Sequence, residues 1–230
     1  MKIQLTVIVP FFNEEKFLKN SVTKLITLNI FEEIILVDDC SNDSSLEIAK
    51  KLSSKFKNIH LISKNQNGGK GSCIAEAKKH LKTSHVIIHD ADLEYSPDDI
   101  VDMLEQALRN KNSLILGSRF IGNKKRKNVY LRTYLANKVM SLFFSLINFY
   151  KISDIATCYK LMPTNFLENI DIKENGFSIE VEILSKFLKY NKSIKEVPIS
   201  YEGRSYAEGK KIKFSDGLKY IINTLKYRIT

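Results

Sequence analysis

The chain has 230 residues, 43% of them hydrophobic, which is enough to bury one sizeable core in a single domain spanning residues 1–230. Its 36 Lys and Arg outweigh 26 Asp and Glu, for a formal net charge of +10. Three cysteines without CxxC spacing speak against a disulfide framework or a thiolate zinc site, and four histidines without HExxH spacing against a zinc enzyme.

The charge is uneven: residues 1–110 carry 14 Lys and Arg against 16 Asp and Glu, residues 111–230 carry 22 against 10. That asymmetry predicts an anionic partner for the second half, whether lipid headgroup, phosphorylated substrate or nucleic acid. The longest charge-free apolar run, Val139 to Tyr150, has 12 residues, short of the ~20 that span a bilayer. The opening run MKIQLTVIVPFFNEE reads as a strand and a proline turn rather than a signal peptide, so a cytoplasmic location is expected.

In chain order, QLTVIVPF, EEIILVDD, NIHLISK, HVIIHDAD and SLILGSRF are apolar runs of strand length, and amphipathic helical stretches separate them. That alternation predicts an α/β fold with a mostly parallel sheet flanked by helices, and ligands in such sheets bind at the carboxyl ends of the strands. SPDD predicts a helix start with Ser96 as N-cap and Pro97 in the first turn. Beyond Phe120 come a basic loop, a helix over residues 129–149, a helix in GFSIEVEILSKFLKY, the strand IKEVPISY and a final helix FSDGLKYIINTLKYRI.

Asp90, Asp92 and Glu94 follow the fourth strand at every second residue. If the strand persists, Asp90 and Asp92 share a face about 7 Å apart, where hard carboxylate oxygens suit Mg2+ or Mn2+. The alternative is that they cap a helix and face water. Asp38 and Asp39 either accept hydrogen bonds from a ribose or form an Asx turn. NQNGGKGS fits neither the Walker A nor the dinucleotide glycine pattern, although Lys70 could still touch a phosphate. The basic cluster Lys124 to Lys127 reads as a solvated surface.

Taken together, VIVPFFNEE, ILVDDCSND, NGGKGSCIAEA, DADLEYSP, LGSRFIG and the later DIATCYKLM, GFSIEVEILSKF and EVPISYEGRSYAEGKKIKFSDG resemble the family 2 glycosyltransferases of GT-A fold, in their dolichyl-phosphate mannose synthase-like branch. The resemblance covers nearly the whole chain and implies a nucleotide-sugar-binding half over residues 1–120 and an acceptor- and membrane-facing half over residues 121–230. It implies that Pro10, Phe11, Asn13, Glu14, Asp38, Asp39, Lys70, Asp90, Ala91 and Asp92 hold a nucleotide sugar of the GDP-mannose or UDP-glucose type. It further implies that Asp92 and Glu94, with Asp90, bind Mg2+ or Mn2+, and that Arg204, Lys210 and Lys211 close over the donor. Arg119, Arg132 and Asn137 would receive the phosphate of a polyprenyl phosphate.

The expected reaction is inverting transfer of mannose or glucose to that lipid phosphate, by an enzyme attached to the membrane peripherally or through a membrane-protein partner. A second reading uses a sugar hydroxyl as acceptor and needs a base, for which Asp154 and Glu182 are the candidates. A third, a non-catalytic nucleic-acid-binding protein, lacks any helix-turn-helix, zinc-finger or RRM signature, so no nucleic-acid partner is expected.

Overall fold

A computed structural model describes residues 2–204 and 214–229; Lys210 and Lys211 lie outside the described residues. The strands are β1 (Leu5–Phe11), β2 (Glu33–Asp38), β3 (Ile59–Ser63), β4 (His85–Ile88), β5 (Leu114–Ser118), β6 (Arg126–Lys127), β7 (Lys160–Pro163), β8 (Ile194–Pro198) and β9 (Tyr201–Glu202). The helices are α1 (Leu18–Leu28), α2 (Ser45–Lys55), α3 (Lys70–Ala77), α4 (Asp99–Arg109), α5 (Leu131–Asn148), α6 (Thr164–Asn169), α7 (Ile179–Tyr190) and α8 (Phe214–Ile229).

Seven strands form one sheet in the order β3-β2-β1-β4-β7-β5-β8, while β6 and β9 pair separately. All neighbours in the large sheet run parallel except β7, which is antiparallel to both β4 and β5. Successive residues of a strand point to opposite faces, and both faces are covered. Val7, Val9, Ile34 and Leu36 enter one core layer, and Ile8, Ile35, Val37 and Val86 enter the other. Two-sided burial explains why these strands read as continuous apolar runs rather than alternating ones.

The fold class agrees with the sequence reading. Two local details do not. The fourth helix begins at Asp99, with Asp98 as N-cap and no side-chain cap bond. Ser96 instead accepts the Asp99 N–H through its carbonyl. The Asp99 carboxylate accepts the Ser200 N–H at 2.6 Å and pairs with Lys124, so it ties α4 to the chain after β8. Strand β7 was not expected, because four residues beginning with a lysine carry too little apolar pattern to announce a strand. Because β7 and β8 from the second half join the same sheet, the two halves share one core.

His89, just beyond β4, is fully buried and bridges Ser21 Oγ and Tyr159 Oη, each at 2.9 Å. Burial pushes its pKa down to about 4. An unfolded chain binds a proton there near pH 6.5, so between these values the unfolded state holds more protons. The stabilisation is complete above pH 6.5 and is lost as pH falls towards 4, to a total of about 3 kcal/mol. Urea unfolding at pH 7 and pH 4.5 should show this loss, and His89→Gln should flatten it.

Candidate active site

A cleft of about 270 Å3 opens at the carboxyl ends of the parallel strands. Pro10 and Phe11 from β1, with Phe12 and Glu14 beyond it, form one wall. Asp39, Asn67, Gly69 and Lys70 continue it from the ends of β2 and β3. Asp90, Ala91, Asp92 and Glu94 contribute the acidic centre, and Arg119, Glu180 and Arg204 come from later in the chain.

The glycine-rich loop has its own structural logic. Asp39 accepts the N–H groups of Gly68 (2.9 Å) and Gly69 (2.6 Å), together with Lys64 Nζ at 2.5 Å. Gly69 sits at φ 84°, and a Cβ on Gly71 would lie 1.8 Å from the carbonyl oxygen of Glu174. Only glycine tolerates that approach. The loop is thus shaped by Asp39 and by the segment preceding α7. Asp38 closes an Asx turn through the Ser41 N–H at 3.1 Å, and Asn13, at φ 52°, accepts the Asn42 N–H at 2.8 Å. Neither Asp38 nor Asn13 lines the cleft; they join the first two strand-end loops instead.

The expected every-second-residue spacing of acids also changes, because β4 ends at Ile88. Leu93 adopts φ 62°, a conformation that a bulky residue seldom takes. This turn separates Glu94 from the other two acids. Glu94 accepts Tyr201 Oη and the Arg204 N–H, each at 2.8 Å. Asp92 faces Arg204 Nη2 at 3.3 Å, and that guanidinium also bonds Glu14. Among the described residues, no three acids, histidines or cysteines come together as a metal cage.

Asp90 and Asp92 are nevertheless different. Asp90 pairs with Lys70 at 2.6 Å, and Lys70 also meets Glu180 at 2.7 Å. Burial works against the Asp90 carboxylate, but Lys70 overrides it and holds the pKa below the usual range. For Asp92, burial acts first, then the charges of Asp90 and Glu94, and Arg204 only partly offsets them; its pKa is pushed up to about 7. The negative potential of the acidic centre is therefore least balanced at Asp92, where an added cation would relieve it.

Behind Lys70 the charges continue inward. Glu180 also bonds Lys160, whose ammonium is fully buried on β7 and takes the Thr157 carbonyl as a second partner. Burial draws the Lys160 pKa down while Glu180 resists. The result is an alternating chain, Asp90–Lys70–Glu180–Lys160, running from the cleft into the core. Glu180 and Lys160 did not emerge from sequence reading. The signal present was charged residues inside two apolar stretches, one lysine in CYKLM and two glutamates in SIEVEIL.

Arg119 lies between the cleft and a small adjoining pocket that Arg126, Asn128, Thr133, Asn137 and Tyr201 also line. Asp154, fully buried, accepts Arg119 Nε and Nη2 at 2.7 Å and its N–H at 3.0 Å. The guanidinium carbon lies 5.1–5.8 Å from the ring centres of Tyr95, Phe120 and Tyr201. Asp154 is thus committed to Arg119, and Glu182 accepts the N–H groups of Lys173 and Glu174 and pairs with Lys186. Neither lines the cleft. Arg132 is exposed on α5 and lines neither space, whereas Arg126, from the basic cluster read as solvated surface, lines the pocket.

A mostly parallel sheet with an acidic cleft at its strand ends is the GT-A glycosyltransferase architecture. The pattern described as "Glycosyl transferase family 2" matches residues 6–170, and the chain belongs to that family and is a glycosyltransferase. It is 28% identical to a dolichol-phosphate mannosyltransferase of Pyrococcus furiosus, over 98% of this chain and 64% of that protein, so it spans a little under two thirds of that relative. It is 29% identical to a UDP-N-acetylglucosamine–dolichyl-phosphate N-acetylglucosaminyltransferase of Methanococcus voltae, over 95% of this chain and 94% of that one. A crystal structure of Mycobacterium tuberculosis glucosyl-3-phosphoglycerate synthase with Mn2+, UDP-glucose and phosphoglyceric acid superposes with TM-score 0.75 at 16% identity, covering 98% of this chain and 80% of that chain. At that identity the likeness establishes the fold.

The buried ion chain predicts an asymmetric mutational response. Glu180→Gln strands the Lys160 ammonium and should cost about 3–5 kcal/mol in urea unfolding. The paired variant Lys160→Met with Glu180→Gln should recover most of that loss.

Proposed function

We propose that the protein transfers a hexose, mannose or glucose, from a nucleoside diphosphate sugar of the GDP-mannose or UDP-glucose type to a polyprenyl phosphate, with inversion at the anomeric carbon. The observation that carries this reading is the pocket beside the cleft, lined among the described residues by Arg119 and Arg126 and by no carboxylate. Two guanidiniums suit a phosphate. A phosphate is already anionic at neutral pH, so it attacks without a base, and neither Asp154 nor Glu182 is placed to act as one. The names of the archaeal relatives, both dolichyl-phosphate glycosyltransferases, point to the same acceptor.

On this reading Pro10, Phe11, Asp39 and Asn67 border the nucleoside, Asp90 meets the sugar end of the donor, and Arg204 closes on the diphosphate. Asp92 is the residue that holds Mg2+ or Mn2+. The unbalanced negative potential around it fits a cation, and Mg2+ takes one or two carboxylates with the remaining oxygens from phosphate and water. Held there, such an ion would supply charge compensation for the departing diphosphate. Arg119, fixed by Asp154, and Arg126 hold the acceptor phosphate in line with the anomeric carbon. A lipid acceptor places the reaction at a membrane surface, on the cytoplasmic face where nucleotide sugars are available.

The decisive experiment offers UDP and GDP sugars with undecaprenyl or dolichyl phosphate and Mn2+ or Mg2+, with and without chelator. Product should partition into organic solvent and vanish on chelation; turnover of water-soluble acceptors alone would sink the reading. Asp92→Asn should abolish metal-dependent donor binding without lowering the unfolding midpoint, since it relieves repulsion. Arg126→Ala should raise the acceptor KM about tenfold and leave the donor KM within about twofold. Arg119→Ala is a poorer probe, because it leaves Asp154 buried without its partner and should lower stability by about 3–5 kcal/mol.

A further inference from the structure

Helices α5 and α8 are amphipathic the wrong way round for proteins in water. On α5 the exposed residues are Leu131, Leu135, Val139, Leu142 and Leu146, followed by Phe149 at its C-cap, 86% exposed. Their three- and four-residue steps place them on one stripe. The buried side holds Asn137, Ser141 and Phe144. On α8 the exposed stripe is Leu218, Ile222, Leu225 and Ile229, the last also 86% exposed, while Tyr220, Asn223, Thr224 and Tyr227 face inward. A helix covering a core normally does the reverse, and an aliphatic face of this extent marks a contact surface.

The two stripes lie side by side. The helices pack against each other, a Cβ on Gly217 would meet Met140 Sδ at 3.7 Å, and the Arg228 guanidinium lies 5.6 Å over the Phe149 ring. Both helices therefore run in the same direction, Met140 to Phe149 beside Gly217 to Arg228. Their charges are of one sign: Arg132, Lys138 and Lys151 in residues 129–153, and Lys219, Lys226 and Arg228 in residues 217–230, with no Asp or Glu in either range. Lys226 is paired with Glu174. Among the described residues no helix is long and apolar enough to cross a membrane.

We propose that the joint α5–α8 face seats in the interfacial layer of an anionic phospholipid bilayer, with the aliphatic stripes among the acyl chains and the flanking cations at the headgroups. Cationic rims around an aliphatic face match anionic lipid. A second copy of the same face would bring cations against cations, with no acid in residues 129–153 or 217–230 to answer them. The face also borders the functional centre, since Tyr130, Thr133, Tyr134 and Asn137 at the start of α5 line the pocket with Arg119 and Arg126. A lipid phosphate at bilayer depth would thus reach that pocket along α5. The inference rests on the transfer reading for the identity of that lipid; the docking surface itself does not need it.

The test is co-sedimentation of the whole chain, without donor or metal, with phosphatidylglycerol–phosphatidylcholine vesicles and with pure phosphatidylcholine vesicles. Binding should favour the anionic vesicles about tenfold or more and weaken as salt is raised. Leu146→Glu with Ile222→Glu should lose about tenfold or more in vesicle binding while keeping the unfolding midpoint and metal-dependent nucleotide binding. Charge reversal at Lys219→Glu should remove part of the anionic preference. The proposal is overturned if the wild-type chain ignores anionic vesicles, if the double variant binds them equally, or if the chain forms a dimer that the double variant abolishes. Vesicle binding without sugar transfer would count against the transfer reading alone, and transfer to a short soluble prenyl phosphate without vesicle binding against this proposal alone.

Discussion

The alternating charges of Lys160, Glu180, Lys70 and Asp90 set the conditions for everything around the cleft. They join four elements distant in sequence: β7, the first turn of α7, the first turn of α3 and the loop after β4. Each ion is costly to bury alone and tolerable only beside its neighbours. The chain therefore acts as a registry device, since a shift of any one element leaves a buried charge unanswered. It also neutralises Asp90 from within the protein, which leaves Asp92 as the acid whose charge the fold does not balance.

That imbalance separates the roles of the three acids. Leu93 in its left-handed conformation sends Glu94 to Tyr201 and the backbone of Arg204, so Glu94 joins the acidic centre to the chain after β9. Tyr201 lies in turn against Arg119, which borders both the cleft and the small cationic pocket. A donor in the cleft and an anionic acceptor in the pocket would share one wall, built from Arg119, Tyr95 and Tyr201. Under the proposed transfer, this arrangement requires no proton abstraction from the acceptor, only alignment and charge compensation.

The outward aliphatic faces of α5 and α8 complete that picture. Burying polar side chains while exposing leucine and isoleucine wastes hydrophobic driving force in water. In an interfacial lipid layer the same arrangement is favourable, and the cationic excess of the second half gains a counter-charge. Under the proposed docking, the uneven charge of the sequence and the inverted helices of the fold would share one explanation.

The sequence by itself determined the layered α/β fold, the family and the strand-end position of the site, because apolar runs of strand length and strand-end acids are local patterns. It exposed Asp90, Asp92, Lys70, Asp39 and Arg119, all of which line the cleft. Only the tertiary structure decided their partners. Asp39 holds a glycine loop 28 or more residues away, Asp154 is spent on Arg119, and Arg126 rather than Arg132 reaches the pocket. Strand β7, with Lys160, and the inward turn of Glu180 escaped the sequence for the same reason. A charged residue inside an apolar stretch is only a weak local signal, and its meaning comes from charges brought together by long-range pairing of the sheet.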